Sequence, residues 1–343
     1  MSSATLPGLA VLNPGGRDVD QSFINGPGNP SEKIHAPINY HGYAACTNGA
    51  FYRTTELAAS HESVLLLLRS NLEDTRRAIE LLKAKGCFIA ISFKESGTHQ
   101  VASLLSRPKQ FELFRKIAMA ADLCISSTPD LLPLYGSVSK RAAFVPTPYP
   151  LEFESWNFGQ PLENRHGILI GSREFSVPSR NHLLALSAAR TLSTLITVIN
   201  PDGKSGVHAL AALNFPTDQL NVVSPMSYPT YLKLMANHRL VLQFDQSSVP
   251  GQVAGDGLLC RVPTVGGNGA IERIAFSTLN GHGRGFDELV SLASRLLREK
   301  EFYQEQVAYL DSVPKERLSF GAVREVLRRL VPGVAGNPWV AAG

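Results

Sequence analysis

The stretch SVLLLLR, Ser63 to Arg69, is an unbroken apolar run with polar residues on either side. A run this short and this apolar reads as a strand covered on both faces, the pattern of a parallel sheet between two layers of helices. Working outward, Asn71 with Asp74 three residues on caps a helix that reaches Lys85 and stops at Gly86. CFIAISF is the next strand, a long helix is expected over about Gln100–Ala121, and DLCISS is another strand. Thr128 and Pro129 then open a further helix, and RAAFVPTP closes the series. Upstream, Gly8–Leu12 is a short strand that breaks at the glycine turn NPGG, while residues 17–60 are polar, rich in Gly, Pro and Asn, and carry no period.

After Pro150 an aperiodic stretch, LEFESWNFGQPLENR, reads as a linker, and the alternation restarts. GILIGS, LITVIN, LNVVS, RLVLQF and VPTVGG are strands; Asn181–Thr194, Val207–Leu213, Tyr228–Asn237 and Gln252–Leu259 are the helices between them. From Gly285 an apolar stripe of Phe286, Leu289, Val290, Ala293, Leu296 and Leu297 follows helical spacing. The expected architecture is α/β: two Rossmann-like, doubly wound domains facing a cleft. The expected domains are residues 1–150, a linker at 151–165, a second domain at 166–320, and a C-terminal helix and tail at 321–343 packing back on the first domain.

At 343 residues the chain is longer than one core usually serves, which also favours two domains. The longest apolar run is far short of a bilayer span, and Met1–Gly8 lacks the pattern of a secretory signal. The four cysteines are scattered without metal-type spacing, and three lie in or beside apolar runs, so a cytoplasmic, reducing setting is expected. A net charge of +4 permits an anionic ligand, but there is no Lys/Arg block or aromatic–basic stripe to demand nucleic acid. There is no Walker A sequence and no GxGxxG after the first strand, so an ordinary NTPase or dinucleotide dehydrogenase is not supported.

In open parallel sheets ligands bind beyond the carboxyl ends of the strands. In the second half those loops hold glycines, hydroxyls, Arg173, Arg180 and Lys204, residue types suited to phosphate. SSVPGQVAGDGLLCRVPTVGG, Ser247 to Gly267, is such a loop, followed by a helix and a strand that ends on a glycine pair.

The second half resembles the retaining, two-Rossmann-domain (GT-B) glycosyltransferases of the family 4 type. The likeness is carried by ILIGSREFSVPSRNHLLALSAARTL, LNVVSPMSYPTYLKLMANHRLVLQFDQSS, GQVAGDGLLCRVPTVGGNGAIE, FDELVSLASRLLREKEFYQEQ and LSFGAVREVL. In the first half ADLCISSTPDLLPLYG and KRAAFVPTPYP resemble the end of the acceptor domain, so coverage is about residues 120–331. The resemblance implies glycosyl transfer from a nucleotide-sugar donor, such as a UDP- or GDP-sugar, to an acceptor the sequence does not name. It also implies retention, with no metal and no cofactor beyond the co-substrate.

Residue by residue, the family's phosphate-binding cation pair falls on Arg173 and Arg180, two residues further apart than usual. The second position of its Glu-x7-Glu motif falls on Asp256, suited to ribose hydroxyls, and the first falls on Ser248, which has a hydroxyl but no carboxylate. Ser224, Met226 and Tyr228 match the turn that holds the base, and Gly251 lets a ligand approach the backbone. Gly266, Gly267 and Asn268 match the donor sugar and phosphate loop, and Gly15 and Gly16 the glycine loop facing the donor. Glu272 is shifted from the glutamate that usually follows the glycine pair and takes no role from the family. His41, Glu95 and His99 are the candidate acceptor-side acid/base groups, although family members typically let the donor phosphate assist deprotonation. Two alternatives stay open: a degenerate GT-B protein that binds a nucleotide or partner without turnover, and a nucleic-acid-modifying glycosyltransferase.

Overall fold

Leu65 and Leu67 face one way and Val64, Leu66 and Leu68 the other, and all five are buried. The even set packs with Leu72, Ile79, Leu82 and Phe114; the odd set packs with Tyr43, Phe51, Val323 and Leu327. The strand is therefore covered on both faces, which is why its sequence is continuously apolar. The computed structural model describes residues 6–171, 174–216 and 218–336. The chain forms two compact units: residues up to Ser155 with those from Arg317 onward, and Trp156–Glu316.

Among the described residues, unit 1 has seven strands: β1 (Leu6–Leu12), β2 (Gln21–Ser22), β3 (Ala50–Tyr52), β4 (His61–Leu68), β5 (Phe88–Phe93), β6 (Leu123–Ser126) and β7 (Ala142–Phe144). Their order is β2-β3-β1-β4-β5-β6-β7, parallel except for β2 at the edge. The chain passes from β1 to β3 on one side and then returns to β4 on the other, so the sheet reverses its winding at β1/β4. The unassigned stretch 17–60 supplies β2, β3 and the helix Asn39–Cys46, whose residues from Tyr40 onward are all buried. The helix expected over Gln100–Ala121 is two helices, Thr98–Leu105 and Pro108–Ala120. Pro108 disfavours helical backbone at Arg107, which is extended at φ −89°, ψ 125°. Asn71 precedes its helix without capping the backbone; its amide donates to Asp74 Oδ2 at 2.7 Å instead.

The closing helix Phe320–Leu330 belongs to unit 1. Its first turn is held by Glu152, which accepts from Phe320 N at 3.2 Å and Gly321 N at 2.6 Å, a carboxylate at the positive end of a helix. Arg324, buried, donates to Asn48 Oδ1 at 2.6 Å.

Unit 2 has β8 (Ile168–Ile170), β9 (Ile196–Ile199), β10 (Leu220–Val223), β11 (Leu240–Gln243) and β12 (Thr264–Gly266), all parallel, in the order β10-β9-β8-β11-β12. The winding reverses at β8/β11. The four cysteines are buried and free. Among the described residues no helix is long and apolar enough to cross a membrane.

Candidate functional site

The reversal at β8/β11 is where a doubly wound sheet leaves a crevice beyond its strand ends. Here the loop leaving β8 and the loop leaving β11 are laced together. Asn181 Nδ2 donates to Phe244 O at 2.9 Å and Gln246 N to Ser179 O at 2.9 Å. Arg180 forms an ion pair with Asp245, the two side chains 23% and 7% exposed. Asp245 also accepts from Ser247 N at 2.8 Å and from the Ser247 hydroxyl. The carboxylate thus fixes one edge of the guanidinium, and no other hydrogen bond is given by its side-chain donors among the described residues.

His182 opens the helix His182–Ala189, two residues on from Arg180. Both ring nitrogens are buried without a partner among the described residues. A β-carbon at Gly171, the residue after β8 with φ 75°, would lie 3.6 Å from Nδ1 of this ring. Burial first, and the Arg180 charge second, push His182 down to about 4, so the ring is neutral at neutral pH.

On the β11/β12 side, Ser248 and Asn268 are tied twice: Ser248 N donates to Asn268 Oδ1 at 2.8 Å, and Asn268 Nδ2 to Ser248 Oγ at 3.2 Å. Asn268 N donates to Asp245 O at 3.0 Å, which joins this pair to Asp245 and so to Arg180. Beneath lies Glu272, 2% exposed, with Oε1 accepting from Gln243 Nε2 at 2.9 Å and Oε2 unpartnered among the described residues. Three glycines press on it: β-carbons at Gly251, Gly267 and Gly269 would stand 2.0, 2.8 and 2.4 Å from its carboxylate oxygens. Burial raises Glu272 to about 8, with the Asp245 charge pushing the same way. At neutral pH it is largely a neutral acid and a potential hydrogen-bond donor.

The glycine pair that closes the Ser247–Gly267 stretch is therefore required by packing. Gly266 has φ 84° and a β-carbon there would fall 1.8 Å from Gln243 O. Gly267, at φ 72°, admits Gln243 and Glu272. Asp256, 1% exposed on the helix Gln252–Cys260, accepts from the phenol of half-buried Tyr228 at 2.5 Å. Ser224 is exposed and Met226 half-buried. Ser224, Asn200, Lys204, His208 and Pro225 are among the residues that line a cavity of about 470 Å³ beyond β9 and β10.

Arg180, Ser248, Asn268, Gly251, Gly266 and Gly267 are thus brought together, with Asp256 joined to Tyr228. Arg173 lies outside the described residues. Asp245, His182 and Gln243 are not among the residues the sequence singles out, and Glu272 is one to which the resemblance gives no role. The available signals are slight: Asp245 ends the run RLVLQFD, and Glu272 comes three residues after the last glycine of GGNG.

In unit 1, Gly15 (φ 69°) is exposed in the turn after β1, and Gly16 N donates to Asn13 O at 3.0 Å. Glu95 and His99 are exposed in the segment after β5. His41 is buried, stacked on Phe51 at 3.8 Å and on His35 at 4.9 Å between ring centres. Burial, then the charges of His35 and Lys94, push His41 down to about 3, so it is a neutral ring and a weak base at neutral pH. None of His41, Glu95 and His99 hydrogen-bonds another among the described residues. Nor does any group of three His, Cys, Asp or Glu residues there have the placement to hold a metal ion.

The chain matches no known family model and no curated protein sequence. Solved structures do resemble it. Sucrose-phosphate synthase from Thermosynechococcus elongatus aligns over 95% of this chain and 98% of its own, with 13% identity and a TM-score of 0.65. HepE from Anabaena in complex with UDP-glucose aligns over 94% and 99%, with 10% identity and a TM-score of 0.65. The E. coli trehalose-6-phosphate structure bound with UDP-2-fluoro glucose aligns over 80% and 76%, with 12% identity and a TM-score of 0.61. The chain has the fold of the GT-B glycosyltransferases.

Proposed function

We propose that the protein is a glycosyltransferase that takes a sugar from a nucleotide-sugar donor, with a UDP-sugar the first donor to test, and transfers it to an acceptor hydroxyl. The observation that carries this reading is the Arg180–Asp245 pair at the β8/β11 reversal, where a buried carboxylate orients a guanidinium and leaves part of its fork open. In this reading Arg180 neutralises the donor diphosphate, assisted by Arg173. Asp256 and Tyr228 recognise the ribose, the turn Ser224–Tyr228 takes the base, and Gly267–Asn268 lies against the sugar. The acceptor oxygen bonds to the anomeric carbon, the bond from that carbon to the phosphate oxygen breaks, and the acceptor proton passes to the departing diphosphate. Fixed cationic and amide donors stabilise the charge that grows on the leaving group, so the reading needs no metal ion. Retention of configuration belongs to the same reading, as does an unassisted acceptor: with His41 a weak base, the leaving phosphate takes the proton.

A donor panel tests this. UDP-, GDP-, ADP- and dTDP-glucose are compared by thermal shift and by release of free nucleotide, in wild type and in Arg180→Ala. A stabilising shift and slow donor hydrolysis, both lost in the variant, are expected. No response to any donor would sink the reading.

A second reading, nucleotide binding without turnover, is favoured by one observation: Ser248 commits its N–H and hydroxyl to Asn268 and supplies no carboxylate. Binding with no hydrolysis of any donor would select it.

A further inference from the structure

Two cations follow the ends of neighbouring strands at the carboxyl edge of the unit 1 sheet. β4 and β5 pair in register up to Leu68 and Phe93. The next residues are Arg69 and Lys94, and Lys94 N donates to Leu68 O at 2.8 Å. Both are half-buried, and neither is ion-paired with a carboxylate among the described residues. Like charges placed just past the ends of neighbouring strands repel. Glu95, the one acid in the sequence Lys94–His99, is exposed.

Neighbouring side chains hold this pair in place while offering further donors. Arg69 Nη1 donates to Asn13 Oδ1 at 3.2 Å, and Lys94 Nζ lies 5.4 Å from the centre of the Tyr40 ring. Asn13 is fully buried, and its Nδ2 has no acceptor among the described residues. It sits under the Gly15–Gly16 turn, where a β-carbon at Gly16 would stand 2.3 Å from that nitrogen. His41 Nε2, near enough to Lys94 to feel its charge, is likewise buried without a partner there. All of this lies at or beside the β1/β4 reversal, the crevice position of this sheet.

We infer that this edge of unit 1 binds an oxyanion carried by the acceptor, a phosphomonoester or a carboxylate, with Arg69 and Lys94 as its counter-ions and Asn13 as the residue that positions Arg69. The inference rests on the glycosyl-transfer reading and names the acceptor class that reading leaves open: an anionic sugar or similar small hydroxyl compound. An oxyanion converts the repulsion between two neighbouring cations into shared attraction, and Arg suits its planar or tetrahedral edge by two-point hydrogen bonding.

The full chain is titrated calorimetrically with inorganic phosphate, a hexose phosphate, a hexuronate and the parent hexose, each with and without UDP, at low and high salt. The charged ligands are expected to bind, more weakly as salt rises, while the parent hexose does not. Arg69→Gln and Lys94→Gln are each expected to raise the anion Kd about tenfold or more, with UDP affinity unchanged. Arg69→Lys retains part of the binding. Preference for the hexose phosphate or for the hexuronate identifies which oxyanion the acceptor carries. Equal binding of charged and neutral sugars overturns the inference, and that result, like the salt dependence, is read on wild type even where a variant does not fold. Unchanged anion affinity in folded variants, or an equal loss of UDP affinity, also overturns it. Anion binding without any donor response would instead sink the glycosyl-transfer reading and leave the anion site standing.

Discussion

The phenol of Tyr228 donates to the Asp256 carboxylate at 2.5 Å, joining the first residue of the helix Tyr228–Ala236 to the middle of the helix Gln252–Cys260. Asp256 is buried and Tyr228 half-buried, so the part of this pair open to solvent is the tyrosine. Tyr228→Phe removes a hydrogen bond to a buried carboxylate, with an expected cost of about 1.5–3 kcal/mol in stability. Asp256→Asn keeps an acceptor for the phenol and costs less. Both are expected to weaken UDP binding if the pair reads the ribose. Thermal unfolding and UDP titration measure the two effects separately, and full UDP affinity in both variants would remove Asp256 from the donor site.

Arg180 and Asp245 separate charge from geometry. Arg180→Lys keeps the cation but loses the fork, so stability is expected to fall by no more than about 1 kcal/mol, while UDP affinity falls about tenfold. Arg180→Ala leaves the Asp245 carboxylate with Ser247 but without its counter-charge. Because the arginine is partly exposed, the expected cost is about 1–3 kcal/mol, below that of a fully buried pair. Denaturant midpoints and nucleotide titrations distinguish the two variants.

Glu272 gives a pH signature. Its carboxyl is raised to about 8 in the folded chain from an ordinary value of 4.5. Between these values the folded state holds a proton that the unfolded state has released, so this group's contribution is full below 4.5 and is lost as pH rises towards 8. The loss is on the order of a few kcal/mol. Glu272→Gln cannot ionise, so the stability difference between variant and wild type is expected to shift in the variant's favour from pH 5 to pH 9. Parallel melting curves at each pH check it; a difference independent of pH would mean that the carboxyl is not held protonated.

Two glycines with similar backbone angles are expected to respond differently to alanine. At Gly266 the added carbon meets Gln243 O at 1.8 Å, so Gly266→Ala is expected to cost about 3 kcal/mol or more. At Gly15 nothing lies within 4 Å, so Gly15→Ala carries only the left-handed backbone cost, about 1 kcal/mol. Equal melting temperatures for the two variants would contradict the packing role given to Gly266.

What the chain disclosed before folding follows from how local each signal is. Val64–Leu68 shows its burial in five consecutive residues, and the strand–helix alternation around it repeats that signal. The helix Asn39–Cys46 gives no such sign: it is buried nearly all round, so no polar face marks its period, and β3 is only three residues long. The division at Arg107–Pro108 rests on a local steric rule that a single helix over Gln100–Ala121 leaves out of account. Arg180 was legible as a cation in a loop, but its partner lies 65 residues on. Glu272 resembles an ordinary surface charge on a short helix; only the convergence of three glycines from two loops shows it to be enclosed.

Because residues from Arg317 onward complete the unit that residues up to Ser155 begin, the second unit is an insertion within the first. During synthesis Trp156–Glu316 is a contiguous stretch that can fold as soon as it emerges, whereas Tyr43, Phe51 and Leu65 wait for Phe320, Val323 and Leu327 to be made. The part of unit 1 made before unit 2 is thus sealed only after unit 2 is complete, and its apolar surface needs protection until the closing helix arrives.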